Sequence, residues 1–171
     1  SADWAEAVSW SGRLTESVEA AQRALASGLA RERELALRAH LARSLRWQGN
    51  PGAAFEQAIG AASDELELLA EAALAAVFSQ RVEEGRKLAQ RVLTSDVGGL
   101  AECIALSAYC FGSFLSGHWS EALVAGARAV AIGEASADVM AIAQPRIYYR
   151  HVLPVCCVYA ACVQHLLHGR V

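Results

Sequence analysis

The stretch that decides the fold is Gly117-His118-Trp119-Ser120-Glu121-Ala122-Leu123, which is followed by alanines at positions 125, 129 and 131. Small residues in and after this stretch recur at gaps of three and four, the spacing of one helix face. Small side chains on that face let a second helix approach closely. The stretch therefore predicts a turn and the second helix of a helix pair.

The same arrangement recurs along the chain. If Gly12, Gly49, Gln80, Gly117 and Gly169 mark the turns, the spacings are 37, 31, 37 and 52 residues, and the first three average 35. Small or short side chains lie five and nine residues after the turns, at Ser17, Ala54, Gly85 and Ala122, and at Ala21, Ala58, Ala89 and Gly126. These offsets predict that each unit places a small-residue face against a neighbouring helix, with Ala122 in the interior.

In these features the chain resembles tetratricopeptide (TPR) repeat proteins, whose period is about 34 residues. Gly117–Leu123 is the best match, followed by Gly12–Leu14 and Gly49–Pro51 with the small residues after them. Most units lack the family's tryptophan and tyrosine in the first helix, and Gln80 replaces a turn glycine. The resemblance implies an all-α fold, a right-handed superhelix of antiparallel helix pairs forming a TPR-like α-solenoid.

The resemblance also implies the domain organisation. We expect one helical repeat domain over residues 1–171, with about nine helices and an irregular insert at 133–155 that lengthens the last spacing. Asn50 and Pro51 predict a helix N-terminus, because asparagine caps helices and proline suits the first helical position. A solenoid without polar capping units at its ends is expected to be a fragment of a larger protein.

The alanine-rich, degenerate repeats are similar to the C-terminal helical regions of large ATP-binding LuxR-type transcriptional regulators. That resemblance implies a non-catalytic sensor and signal-relay region, which binds a protein, a peptide, neighbouring domains or a small-molecule effector. Two alternatives stay open. One is a free-standing TPR adaptor that binds a peptide, and the other is an α-helical small-molecule sensor or enzyme.

In TPR proteins the first helix of each unit lines a concave groove, and the resemblance carries that surface to this chain. The partner-binding candidates are aromatic residues and arginines, namely Trp10, Arg43, Arg46, Trp47, Phe78, Phe111, Phe114 and Tyr159. Such a surface suits a peptide or a partner helix. The alternative is that the aromatic residues pack between helices and that the two arginines are solvated.

A second candidate site lies between Pro145 and Pro154, where proline bends or breaks a helix. This stretch holds the ligand candidates Tyr148, Tyr149, Arg150 and His151. Tyrosine and arginine are common in recognition sites, so the segment is a candidate for binding a small molecule. The alternative is a kinked long helix whose tyrosine hydroxyls point to water.

Composition and motifs argue against several other functions. The net charge is −3, without the basic footprint of a nucleic-acid binder. The sequence has no phosphate loop and no nucleophile elbow, so we expect no enzyme, catalytic residue or cofactor. Cys162, His165 and His168 diverge around a helix, so no metal site is expected. The carboxylates Glu65, Glu67 and Glu71 are interpreted as a solvated helix surface.

The remaining expectations concern compartment and assembly. Five cysteines, an odd number, indicate free thiols rather than a disulfide framework. No apolar stretch approaches the roughly 20 residues that span a bilayer, and a cytoplasmic protein without a membrane partner is predicted. The stretch 152–167 is apolar nearly all round, which predicts self-association through this end.

Overall fold

The structure, a computed structural model, describes residues 13–61, 65–136 and 139–168, and their side chains except at 139, 140 and 159–168. These residues form helices joined by short connections and contain no strand, so the predicted all-α class is confirmed. The eight described helices are α1 (Leu14–Ala26), α2 (Arg31–Trp47), α3 (Pro51–Ile59), α4 (Leu66–Phe78), α5 (Val82–Leu93), α6 (Gly99–Leu115), α7 (Trp119–Ala135) and α8 (Val139–His168).

Three turns join helices at the positions that the repeat predicted. Gly49, Gln80 and Gly117 follow α2, α4 and α6, and their φ angles are +81°, +67° and +79°. In each turn this residue and the next donate backbone N–H groups to carbonyls of the last helical turn, in the Schellman pattern. The turns therefore share one geometry, which glycine adopts without strain and Gln80 adopts at a cost.

Asn50 begins α3 as the sequence predicted. Its side chain accepts a hydrogen bond from the backbone N–H of Ala53 at 3.3 Å, and Pro51 occupies the first helical position. Proline is tolerated there because the first turn of a helix leaves its N–H groups without helical partners. The turn after Gly49 thus passes directly into the second helix of the pair.

The helices contact one another in a regular order. Each described helix packs on the helix before and after it in the chain. In addition, α2 contacts α4, α4 contacts α6, and α6 contacts α8. Among the described residues, the backbones of α3, α5 and α7 approach only helices adjacent in sequence, and an ion pair between Arg86 and Glu121 joins α5 to α7 through side chains. The first helices of successive pairs therefore form an inner row.

The centre of this row is α4, whose residues from Leu68 to Val77 are all buried. Its sequence is apolar nearly all round, as expected for a helix with neighbours on every side. Close packing depends on small residues. A Cβ built on Gly85 of α5 would lie 2.5 Å from Val77 Cγ2 and 2.7 Å from the carbonyl oxygen of Ala73. Ala122, expected in the interior, is fully buried.

Within the segment 133–155, residues 133–135 belong to α7 and residues 139–155 to α8, and residues 137 and 138 lie outside the described residues. α8 is a 30-residue helix that contains Pro145 and Pro154. The turns predicted at Gly12 and Gly169 lie outside the described residues. A Cβ on Gly133 would lie 2.1 Å from the carbonyl oxygen of Ala141, so α7 and α8 meet closely near the connection. Within the described part of the chain, no helix has the length and hydropathy needed to cross a membrane.

The described cysteines carry thiols rather than disulfides. Cys103, Cys110 and Cys156 are buried, and Cys157 is exposed on α8. Burial raises the pKa of Cys110 to about 12, and nearby Cys156 adds to the effect. These buried thiols therefore act as small apolar side chains. The side chain of Cys162 lies outside the described residues.

Candidate functional site

A buried carboxylate stands at the centre of the inner row. Glu71 of α4 is 1% exposed and accepts hydrogen bonds from two arginines of α2. Arg43 Nε lies 2.7 Å from Oε1, and Arg46 Nη2 lies 3.3 Å from Oε2. Each carboxylate oxygen therefore has its own guanidinium group, as a buried charge requires.

The two arginines reach further partners. Arg43 Nη2 donates to Glu67 Oε1 at 3.0 Å, and Arg46 Nη1 donates to the Tyr148 hydroxyl at 2.5 Å. Tyr148 belongs to α8, so the chain of contacts joins α2, α4 and α8 over 102 residues of sequence. We call Arg43, Arg46, Glu67, Glu71 and Tyr148 the polar network. The formal charges of its two guanidinium groups and two carboxylates sum to zero.

Aromatic rings cover one side of the polar network. The ring centroid of Tyr148 lies 5.5 Å from that of Phe78 and 6.2 Å from that of Phe111. Phe78 and Phe111 stack at 5.2 Å, and Phe114 lies 6.1 Å from Phe111. These offset and tilted arrangements are the favourable geometries for aromatic pairs. We call Phe78, Phe111, Phe114 and Tyr148 the aromatic cluster.

Burial and charge set the protonation of the network. Burial works to lower the pKa of Arg43, but Glu71 and Glu67 outweigh it and leave that pKa above its ordinary value. Burial raises the pKa of Tyr148, an effect that Arg46 opposes. Burial also raises the pKa of Glu67, with Arg43 opposing it. The phenol is therefore neutral at pH 7 and accepts the hydrogen bond from Arg46.

One edge of the site is open to solvent. Trp47 of α2 is 38% exposed, with its ring 5.4 Å from the guanidinium carbon of Arg46, and Leu115 of α6 is 46% exposed. Phe78 and Phe114 of the aromatic cluster are half-buried. Trp47, Phe78, Phe114 and Leu115 lie at the ends of α2, α4 and α6, and we call these four residues the open edge.

The structure brings most partner-binding candidates together. Arg43, Arg46, Phe78, Phe111 and Phe114 belong to the network or the cluster, with Trp47 beside them. The alternative of solvated arginines is wrong, because Arg46 is buried and the Arg43 side chain is 12% exposed. Trp10 and the side chain of Tyr159 lie outside the described residues.

The ligand candidates on α8 are separated. Tyr148 faces α2 and α4, whereas Tyr149 is half-buried with its ring against Gly126 of α7. Arg150 and His151 are exposed. These four residues therefore face different surroundings rather than one pocket. The alternative of tyrosine hydroxyls pointing to water is wrong for Tyr148.

The sequence interpretation of Glu71 as a solvated carboxylate is wrong, because α4 is covered on every side. The sequence feature that indicates burial of Glu71 is its position inside the apolar run from Leu68 to Leu74. Within the described residues no group of three or more histidine, cysteine, aspartate or glutamate side chains can hold a metal ion. The side chains of Cys162, His165 and His168 lie outside these residues.

Comparison with protein-family models, with curated proteins and with solved structures found no match to this chain. A neutralised buried network under an exposed aromatic edge can hold helices in register and offer a surface to a partner.

Proposed function

We propose that the chain is a non-catalytic interaction scaffold whose helix pairs stack as a right-handed, TPR-like superhelix. The order of contacts supports the stacking, because described helices meet their neighbours and the first helices of successive pairs meet each other. The shared turn geometry at Gly49, Gln80 and Gly117 supports a repeated unit. Repeat proteins of this kind bind partners on extended concave surfaces.

The binding surface in this proposal is the open edge. The observation that carries it is that exposed Trp47 and Leu115, at the ends of α2 and α6, directly follow Arg46 of the polar network and Phe114 of the aromatic cluster. Tryptophan, tyrosine and arginine dominate binding hot spots, particularly where the surface is rigid before binding. An apolar face of a helical peptide is the occupant that such a surface favours.

The polar network gives the scaffold a way to relay binding. Arg46 contacts Trp47 at the open edge and Tyr148 on α8. A partner that moves Trp47 therefore acts on the Arg46 side chain, which also contacts α8. By its resemblance to LuxR-type regulators, we propose that this region senses a partner or effector and conveys the signal to neighbouring domains. In that case, the complete gene product contains an ATP-binding region and a helix-turn-helix region.

A displayed library of helical peptides tests the binding surface. We expect selection against the wild-type chain to yield peptides whose binding weakens at least tenfold in Trp47→Ala and in Phe114→Ala. Lys87→Ala is the matched control, because Lys87 is exposed on α5 away from this edge. Selected peptides that bind all variants equally, or a selection without binders, would contradict the proposal.

A further inference from the structure

A second apolar surface lies between α6 and α7, away from the open edge. Leu106, Tyr109 and Ala125 form its floor, and Ser120, Val124 and Arg128 form its lip, enclosing about 400 Å³. We call it the α7 trough. Along α7 it spans residues 120–128, about 12 Å of helix. Val124 is 71% exposed, so the trough is open to solvent.

The α7 trough is specific to this unit. Seven residues after the turn, the second helices carry Glu56 in α3 and Lys87 in α5, but Val124 in α7. A charged, solvated position has thus become apolar. The charges beside the trough are already paired, since Arg86 Nη2 lies 3.1 Å from Glu121 Oε2 and Arg128 pairs with Glu102. The trough therefore favours an apolar, uncharged occupant.

Such an occupant is present on the chain itself. Ile147, His151, Pro154, Val155 and Val158 are exposed on α8 and fall within about 100° of its circumference. We call them the α8 stripe. Val158 is 64% exposed and Val155 51%, and no Asp, Glu, Lys or Arg occurs from 151 to 168. Val124 and Val158 are the two most exposed large apolar side chains of the described residues.

The hydrogen-bonding groups also match. Pro154 has no N–H, so it cannot donate to the carbonyl of Arg150 inside the helix. Ser120 and Arg128 supply donors at the lip of the α7 trough. If two α8 stripes paired with each other, the ring N–H of His151 would be the one side-chain donor that the partner stripe offers to this acceptor. We propose that the α7 trough of one copy receives the α8 stripe of a second copy of this chain.

This contact is heterologous, because the two surfaces differ and a pair of copies retains one free trough on one copy and one free stripe on the other. Such contacts form rings where the rotation closes and open chains where it does not. The proposal names the surfaces behind the predicted self-association through the α8 end. It is independent of partner binding at the open edge, which involves other residues.

Sedimentation of purified variants tests the proposal. We expect the wild-type chain to associate with rising concentration, and Val124→Glu and Val158→Glu each to lose that association. Val124→Glu places its carboxylate one turn before Arg128, a favourable helical spacing, and both positions are exposed, so folding is retained. An unchanged helical circular-dichroism spectrum checks this. Ala127→Glu adds the same charge on an exposed position of α7 outside the trough and is expected to associate normally.

Mixing the two variants gives the sharpest result. Val124→Glu retains an intact stripe and Val158→Glu an intact trough, so an equal mixture is expected to form dimers and nothing larger. A wild-type chain that stays monomeric at its highest soluble concentration would overturn the proposal. So would unchanged association of either variant, dissociation of Ala127→Glu, or a mixture that stays monomeric. Association lost in Val158→Glu but retained by Val124→Glu alone would assign the contact to paired α8 stripes.

Discussion

At the scale of single residues, Glu71 decides whether two arginines can remain buried. Arg46 has its Nε buried without a hydrogen-bond partner, so its charge depends on Glu71 and Tyr148. A buried ion pair contributes little compared with well-packed apolar residues, but removal of one member leaves an uncompensated charge. The network therefore constrains which residues are tolerated at these positions.

Substitution Glu71→Ala tests this dependence. We expect the free energy of unfolding, measured in urea, to fall by about 3–5 kcal/mol, because both guanidinium groups lose their buried carboxylate. Glu134→Ala is the control, since Glu134 pairs with Arg146 at the surface and exposed pairs contribute about 0–1 kcal/mol. Equal effects of the two substitutions would contradict the role of burial.

Glu67 offers a test by pH. Its pKa is raised in the folded state by burial, so folding favours the protonated form, and stability from this group is lost as pH rises through the folded pKa. We expect Glu67→Gln, which mimics the protonated form, to be at least as stable as wild type at pH 7. The difference should vanish below the unfolded carboxyl pKa of about 4.3.

Glu83→Gln is the control with the opposite sign. Hydrogen bonds from Ser116 and Arg86 lower the pKa of Glu83, so its contribution is present at neutral pH and lost as pH falls through the folded pKa. This variant is expected to be less stable than wild type at pH 7. Urea denaturation at several pH values measures both variants, and differences of the same sign would contradict the assignment.

At the scale of elements, the turns and the close helix contacts have opposite requirements for glycine. Turns need a positive φ, which Gly49 and Gly117 adopt easily and Gln80 does not. Helix contacts need the absence of a Cβ, as at Gly85 and Gly133. The same residue type therefore has two separable functions in this fold.

Gln80→Gly is expected to stabilise the chain by roughly 0.5–1 kcal/mol, because the strain of a left-handed conformation outweighs the greater flexibility of glycine when unfolded. Gly117→Gln makes the reverse change in the equivalent turn and is expected to destabilise it. Thermal denaturation measures both changes. If Gln80→Gly does not raise the melting temperature and Gly117→Gln does not lower it, Gln80 is not strained in this turn.

Gly85→Ala is expected to cost about 1–3 kcal/mol through overpacking, although alanine favours helices. The new methyl group would lie too close to the backbone carbonyl oxygen of Ala73 in α4, and a backbone atom cannot move away by a change of rotamer. Gly52→Ala in α3 is the control, since no atom lies within 4 Å of its Cβ position, and a gain of up to about 1 kcal/mol is expected. Denaturation in urea compares the two, and a stable Gly85→Ala variant would contradict the close contact.

At the scale of the whole molecule, Tyr148 links the last described helix to α2. Tyr148→Phe removes the hydrogen bond of a buried charged group, which is worth about 1.5–3 kcal/mol. We expect hydrogen exchange to accelerate in the last turn of α2 as well as in α8. Tyr149→Phe, at the adjacent position against Gly126, is the control and should leave α2 unchanged. Faster exchange confined to α8 would contradict the link.

The sequence predicted much of this molecule because local signals and packing agree. Helix type, the three turns and the buried small residues follow from patterns within about 35 residues. The polar network could not be predicted in the same way. Arg46 and Tyr148 are 102 positions apart, and their meeting depends on how the helices between them stack. The sequence did not reveal Glu71 as the partner of Arg43. Glu67 and Glu71 are four residues apart and so share one helix face, a pattern that is typical of solvated helix surfaces.

The shared geometry of the turns after Gly49, Gln80 and Gly117 has a consequence for how such a chain lengthens. In each turn the backbone leaves one helix and enters the next in the same conformation. Duplicating residues 81–117 would therefore join Gly117 to a second copy of Arg81 without altering the junction. Gene duplication or design can therefore add one whole helical hairpin at a time, provided that the apolar faces of the added helices pack against neighbouring helices.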